Sequence, residues 1–391
     1  MKHASIGIAA AVAVLAVGGQ ALAESSLTIG KVKVAKVDQG TVDASIYGKV
    51  SAGIRYSDWN TGNDSPRFGL DSGVGGESRL GTKVSVGLPE GFKAGAIFEA
   101  GLDIDTGADK TPFWNRQALA FVSHKEYGAI SAGRMATPQY NLVGKFDPYA
   151  DSYDGKMTAN YLYDARASNM LSYESPKWDG FAFTVAGTLN AKANEGSNNA
   201  DKEPEVLLAS FAPTYTSGGL SLGLNASYAR QRDNVTLSNN SELFIGDAMA
   251  SYDFGAAKLH GAIGTREVKG ATGYDFLAFN NTAGQGKAIG TTYQWMGGIT
   301  VPVSENGAVM GVYTGRNTKA VAGDDTARTH MFSVGYRHAV NEYLTAFGTV
   351  SYAHNNDKAR EAPAAVTKVR ANVAGGTDYQ TGGTVGIALS F

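Results

Sequence analysis

Cysteine is absent from the 391 residues, which removes disulfides, thiol nucleophiles, thiolate zinc sites and iron–sulfur clusters together. Charge is sparse and nearly balanced, with 34 Lys and Arg against 36 Asp and Glu. No basic block or tail offers the counterion-releasing surface of a nucleic-acid binder. Long apolar runs are missing too. The one near-apolar stretch, Ile6 to Gly19, lies at the N-terminus, and nothing after it approaches the ~20 residues that a membrane-spanning helix requires. A polytopic helical membrane protein is thereby excluded. Glycine is what abounds, at 50 residues, nearly twice the usual ~7%, in a chain whose length alone would suit two or three soluble domains.

Met1-Lys2-His3 supplies a small positive region, Ile6 to Gly19 an apolar core, and Ala21-Leu22-Ala23 a small-x-small pattern. These are the parts of a secretory signal peptide cleaved after Ala23. The apolar core is short for an uncleaved anchor, so residues 1–23 are expected to direct export and to take no part in the fold.

From Val42 onward the chain repeats segments of ten to thirteen residues with alternating polarity. Leu220, Leu222, Leu224, Ala226 and Tyr228 alternate with Ser221, Gly223, Asn225 and Ser227, while Ile46, Val50, Ile54 and Tyr56 alternate with Ser45, Lys49, Ser51 and Arg55. A period of two is that of strands. Sixteen segments are expected, near 42–57, 78–88, 92–104, 114–124, 128–137, 168–176, 180–190, 205–216, 220–231, 243–254, 257–268, 291–303, 307–317, 328–338, 342–354 and 379–391. Short turns such as Leu88-Pro89-Glu90-Gly91 and Ser217-Gly218-Gly219 alternate with long polar connections at 58–77, 138–167, 191–204, 269–290 and 355–378. Short turns at one end and long loops at the other describe an all-β fold, a 16-stranded antiparallel transmembrane β-barrel with periplasmic turns and extracellular loops. The inward positions are rich in Ser, Gly, Thr, Asn, Lys and Arg, which suit a water-filled lumen better than a dry core. Aromatic residues near strand ends, among them Tyr47, Tyr56, Phe92, Tyr173, Tyr215, Tyr252, Tyr313 and Tyr352, fit interfacial girdles.

Several fragments occur in an order that resembles the Gram-negative general porins of the outer membrane, above all the β- and γ-proteobacterial type: Ser78-Arg79-Leu80-Gly81, Gly91-Phe92-Lys93-Ala94, Asn115-Arg116-Gln117-Ala118, Gly128 through Gly133-Arg134, Asn169 with Ser172-Tyr173 and Ser175-Pro176, Gly180-Phe181, and the terminal Gly386-Ile387-Ala388-Leu389-Ser390-Phe391. The resemblance covers Val42 to Phe391 and implies a homotrimeric channel for passive diffusion of small hydrophilic solutes and ions, set among outer-membrane lipid and lipopolysaccharide. It implies that the third loop, 138–167, folds inward to narrow the lumen, carrying Lys145, Asp147, Asp151, Asp154, Lys156 and Asp164. It also implies a ladder of wall arginines at Arg79, Arg116 and Arg166, with Arg134 a further candidate, and hence weak anion selectivity. Alternation along the strands agrees for Arg79, with Gly81, Lys83 and Ser85, and for Arg166, with Met170 and Ser172. Phe391 resembles the terminal signal read by the outer-membrane assembly machinery. One departure is the segment 24–41, where family members enter the first strand almost at once; it reads as a periplasmic lead-in of open structure, a peptidoglycan contact or an extra pairing. Lys31 to Lys36 alternates like a strand without an obvious partner.

No other motif carries a reaction. Gly73-Val74-Gly75-Gly76 lacks the spacing of a nucleotide loop and reads as a plain loop. His124, His260, His330, His338 and His354 lack metal-binding spacing, so no cofactor or metal is expected and the chain reads as no enzyme. Two alternatives stand beside the channel. A phospholipase-like barrel enzyme would need an outward serine–histidine pair, for which His330 and His338 have the right parity. A barrel adhesin would bind through its loops.

Overall fold

The structure, a computed structural model, describes residues 31–37, 40–58, 66–150, 152, 155–188, 206–231, 241–269, 289–320, 326–357 and 379–391. Its strands are β1 (Lys31–Val37), β2 (Gly40–Asp58), β3 (Arg67–Ser72), β4 (Arg79–Gly87), β5 (Lys93–Asp103), β6 (Ala108–Asp109), β7 (Gln117–His124), β8 (Gly128–Ala136), β9 (Arg166–Glu174), β10 (Phe181–Thr188), β11 (Val206–Ser217), β12 (Leu220–Gln231), β13 (Ser241–Asp253), β14 (Lys258–Lys269), β15 (Ile289–Pro302), β16 (Gly307–Ala320), β17 (Thr326–Ala339), β18 (Leu344–Asn355) and β19 (Tyr379–Ser390). Leaving out β1, β3 and β6, sixteen strands pair antiparallel in chain order, and β19 returns to β2 with Ser390 opposite Lys49 and Thr381 opposite Asp58. A closed barrel leaves no backbone edge to lipid.

The polarity is inverted relative to a water-soluble protein. Along β19, Val385, Ile387 and Leu389 are exposed while Thr384 and Ala388 are buried. Along β12, Leu222 and Leu224 are exposed while Asn225 and Ser227 are buried. A contiguous apolar exterior of this extent is stable only against an apolar solvent. Outward aromatics form two bands, with Tyr252, Phe254 and Tyr336 toward the short turns, and Tyr293, Phe332 and Tyr352 toward the long loops.

All sixteen expected segments appear, with ends moved by a few residues. Three features extend or correct the reading. First, the alternation at Lys31 to Lys36 is that of an extra pairing: Lys31 to Val37 pairs with Gly40 to Ser45, below the point where the chain end meets Gly48. Second, the connection read as one loop over 58–77 contains β3, which pairs with Ala52 to Ser57 and continues the line of β4. Third, Tyr47 belongs to the lumen and not to a girdle. It lies opposite Gly81, where an added Cβ would sit 2.4 Å from the phenol ring. The segment 1–23, with Ala23, lies outside the described residues.

Closure depends on the chain end. The Phe391 amide donates to the Gly48 carbonyl at 3.1 Å and the Gly48 amide returns a bond to Phe391 at 2.9 Å. The Phe391 ring lies over Gly48 so closely that a Cβ there would come within 2.6 Å of it. Gly48→Val is therefore expected to lower the yield of folded, heat-modifiable barrel on gels, while the molecules that do fold keep wild-type conductance.

Candidate functional site

Between β8 and β9 the chain leaves the wall and enters the lumen. Thr137 and Pro138 start a helix there, α1 (Pro138–Phe146), in which Pro138 is at the first turn and the Thr137 hydroxyl accepts from the Tyr140 amide at 3.1 Å, a regular N-cap. Leu142, Val143 and Phe146 share its buried face, and with Tyr149, Met157 and Tyr161 they pack on Ala212, Met249, Ala262, Met296, Met310 and Val312 of the far wall. Burying each large apolar side chain contributes roughly 1.5–3 kcal/mol. This covering explains why methionines face inward in a barrel whose lumen is otherwise polar.

Polar anchors then fix the loop at one height. Asp247 on β13 accepts from the Tyr161 hydroxyl at 2.7 Å, from the Gln139 amide at 2.9 Å and from Asn225 at 3.0 Å. Gln294 on β15 brackets Leu162, accepting from its amide at 2.7 Å and donating to its carbonyl at 2.9 Å. Asn160 donates to Thr314 at 3.1 Å, and Ser333 donates to the Gly155 carbonyl at 2.7 Å. Burial holds the Tyr149 phenol up at about 12, and burial with Asp247 beside it pushes that of Tyr161 well up. Both therefore act as hydroxyl donors at neutral pH. The helix descends to the short-turn end, where burial and then Lys177 and Lys258 push the Lys145 ammonium down.

Of the acidic loop residues, Asp147 and Asp164 are buried in the anchoring contacts. Asp147 is buried and accepts from the Tyr149 amide at 3.0 Å and the Met157 amide at 3.2 Å. Asp164 is buried and pairs with Arg266 on β14 at 3.2 Å. Lys145 and Lys156 are more open, whereas Asp151 and Asp154 lie outside the described residues. The loop itself spans 137–165, because Arg166 already pairs with Ala136 in the sheet.

The expected arginines stand on the wall. Arg79 on β4 faces inward beside Glu99 of β5 at 3.8 Å and donates to the Glu77 carbonyl at 3.3 Å. Arg116, just before β7, is buried between Glu99, at 2.6 Å, and Glu77, which also binds Lys110 at 2.8 Å. Arg166 lies over the Tyr140 ring at 5.2 Å and so touches α1 directly. Alternation would send Arg134 outward with Ala118. A register shift between Gly133 and Met135, with Gly133 at φ +134°, brings it instead to Ser168 at 2.9 Å and the Asn115 carbonyl at 2.7 Å. A pleat irregularity also occurs at Asn169, φ +54°, yet Met170 and Ser172 are buried and Leu171 is exposed, as alternation requires.

The stretch read as a plain loop, Gly73 to Gly76, is a second intrusion into the lumen. The Gly73 and Gly75 amides donate to Ser51 at 2.8 and 2.6 Å, and Val74 is buried with Phe347 and Ala388. At Gly76, φ +110°, a Cβ would meet Lys49 Nζ at 2.5 Å and Ser152 at 2.8 Å, so this segment meets the far end of the third loop. A side chain at either Gly75 or Gly76 would collide with its neighbours, and the positive φ itself favours glycine. Glu77, Glu99, Asp247, Gln139, Tyr161, Gln294, Arg266 and the fully buried Arg316 are the site residues that sequence reasoning missed. Only Thr137-Pro138 before Leu142, Val143 and Phe146 left a legible trace, that of a capped amphipathic helix.

His330 and His338 do face outward. Their Nδ1 atoms meet the hydroxyls of Tyr313, at 2.9 Å, and Tyr336, at 3.2 Å, where a lipid-facing hydrolase would place a serine.

The sequence matches the family described as Gram-negative porin over residues 9–358. It is 25% identical over 390 residues to outer membrane porin protein 32 of Delftia acidovorans, covering 97% of this chain and 98% of that protein. It is 24% identical over 352 residues to an outer membrane porin protein of Bordetella pertussis, covering 81% of this chain and 90% of that protein. Among solved structures, the anion-selective porin from Comamonas acidovorans superposes with a TM-score of 0.70 at 22% identity, over 90% of this chain and all of that one. The outer-membrane protein OmpT of Vibrio cholerae, in its trimer form, does so at 0.63 and 14% identity, over 90% of this chain and 100% of that one. A closed sixteen-stranded barrel with an apolar exterior, an inward third loop and this match across most of its length together establish that the chain belongs to the Gram-negative porin family, as a channel of the outer membrane.

Proposed function

We propose that this porin passes small hydrophilic solutes and ions by passive diffusion and weakly prefers anions, with Arg79, Arg166, Lys49 and Lys83 presenting the field. The observation that carries this is an asymmetry of burial. Among the described residues around the third loop, the Glu99, Asp71 and Asp164 side chains are withdrawn, 5%, 10% and 5% exposed, and Asp147 and Asp247 are buried. The Arg79 side chain is 31% exposed, Lys83 is exposed and Lys49 is half-buried. A permeating ion thus meets these bases directly and these acids through protein. The anion selectivity named for the Comamonas porin points the same way. Glu77 is more open, 34% exposed, so Glu77→Gln is expected to raise the chloride preference. Reversal potentials across planar bilayers in a KCl gradient check this, and an unchanged value would remove Glu77 from the field.

Residues 1–23 are proposed to be a cleaved signal peptide and residues 24–41 a periplasmic lead-in, built onto β2 by the β1 hairpin. Homotrimeric assembly is supported by the small apolar outward surface of β19 and by the trimer form of the Vibrio protein. Crosslinking in mild detergent should give a three-subunit band. Phe391 is proposed to serve recognition by the assembly machinery as well as closure, and deleting it should reduce surface levels far more than it alters conductance. Equal surface levels would leave closure as its role.

A further inference from the structure

The apolar side chains of the lumen are not all covered by the third loop. On β4, β5 and β7 two successive inward rows read Lys83, Ile97 and Leu119, then Ser85, Gly95 and Phe121 toward the short turns. Parity fixes them inward, because Ala120 and Val122 of β7 are exposed to lipid, while Glu99, one row above Ile97, is the buried lumenal partner of Arg116. The Phe121 ring lies across Gly95, where a Cβ would fall 2.7 Å from it. Ile97 and Phe121 are half-buried, backed by a cluster that includes Leu119, Met135 and Met170 and is separate from the one that α1 buries. Lys83 completes the patch. Its ammonium stands 5.3 Å from the centre of the Phe121 ring, within the ~6 Å of a cation–π contact. The side chain is exposed, and among the described residues it forms no ion pair. The lumenal acids of the adjoining rows are Glu99, held by Arg116 and Arg79, and Asp43 on β2, opposite Ser85. Lys83 lies four residues below Arg79, roughly 13 Å at ~3.3 Å per residue, so the patch sits on the short-turn side of the throat.

Covering an apolar wall is favourable roughly in proportion to the area taken from water. A solute that is only a charge gains little from Ile97 and Phe121, and one that is only apolar gains little from the Lys83 ammonium. A ring ending in a carboxylate gains from both at once, in the way that small-molecule sites join an apolar surface to a few placed polar groups. We propose that this patch is a lumenal subsite for amphipathic monoanions, in the first place aromatic carboxylates, with the ring on Phe121 and Ile97 and the carboxylate on Lys83. The wall then sorts solutes of equal charge by their apolar surface, which a field alone does not do. This rests on the anion-passing reading and specifies a solute class for it.

The test records the single-channel current of the purified protein in planar bilayers in KCl at neutral pH, with benzoate, acetate or the uncharged benzamide added to both sides. Benzoate should interrupt the current at concentrations at least ten-fold below those at which acetate or benzamide does so. Referred to each variant's own open-channel current, the apparent affinity for benzoate should fall five-fold or more in Phe121→Ser and in Lys83→Gln. It should be retained in Lys83→Arg and stay at the wild-type value in Val122→Ala, whose side chain lies on the lipid face of the same strand. Reversal potentials in KCl alone report the ion preference separately, so a cation-preferring channel that still shows this benzoate pattern would count against the field and leave the subsite standing. Equal effects of acetate or benzamide, or undiminished benzoate affinity in either Phe121→Ser or Lys83→Gln, would overturn the proposal.

Discussion

Alanine at Asp247 is expected to produce a channel of larger and noisier conductance in a barrel that still folds. The carboxylate takes three hydrogen bonds, two of them from the third loop through Gln139 and Tyr161. Hydrogen bonds to a charged acceptor contribute about 1.5–3 kcal/mol each, and removing the acceptor leaves buried donors unsatisfied. The loop keeps its apolar face on the wall, so it should loosen at 160–164 and not leave the lumen. Gly264→Ala should reproduce the effect without changing any charge, because a Cβ there would fall 2.2 Å from the Tyr161 hydroxyl and 2.5 Å from Asp247. Larger single-channel steps with added flicker in both variants are the expected record. Wild-type steps in both would mean that the loop holds its place without this anchor.

Reversing Arg79 should move selectivity strongly toward cations, whereas reversing Arg116 should first cost folding. In sequence the two residues look equivalent. In the structure Arg79 is partly open to the lumen, while Arg116 is buried between Glu77 and Glu99. Glutamate at 116 would place three carboxylates together in a buried site, and removing one partner from such a site is typically worth ~3–5 kcal/mol. At Arg79 the change is mainly one of field. Two unit charges ~4 Å apart at an effective dielectric of ~20 interact by about 4 kcal/mol before salt screening, enough to change the sign in a nearly balanced throat. Arg166→Glu should act in the same direction as Arg79→Glu and should also release its stacking on Tyr140. The expected outcome is a low folded yield for Arg116→Glu and a normal yield with altered reversal potential for the other two.

The strands were legible because period-two alternation survives wherever one face meets lipid: Leu220 to Tyr228 and Ile46 to Tyr56 read directly as outward rows. The outward parity of Ile387 and Leu389 and the inward parity of Arg79 followed from the same rule. Alternation fails where the backbone leaves it. Arg134 reaches Ser168 only through the irregularity at Gly133, and Gly73 to Gly76 enters the lumen through close contacts with Ser51, Lys49 and Phe347, which composition does not encode. The loop acids were visible as charges, but their burial was not. Asp147 and Asp164 became anchors because buried backbone amides and Arg266 claim them. Asp247, a lone inward acid on β13, had no local signal, since its partners come from residues 139, 161 and 225.

The central claim is that lumenal bases reach the permeating ion while Glu99, Asp147, Asp164 and Asp247 are buried beside them. Its most direct test is the zero-current potential of the purified wild-type channel in a planar bilayer under a tenfold KCl gradient, where K⁺ and Cl⁻ differ little in mobility and the sign reports the fixed field. A potential of the sign set by chloride, shrinking or reversing in Arg79→Glu, is the predicted result; a potassium-selective wild type that ignores Arg79→Glu would contradict it.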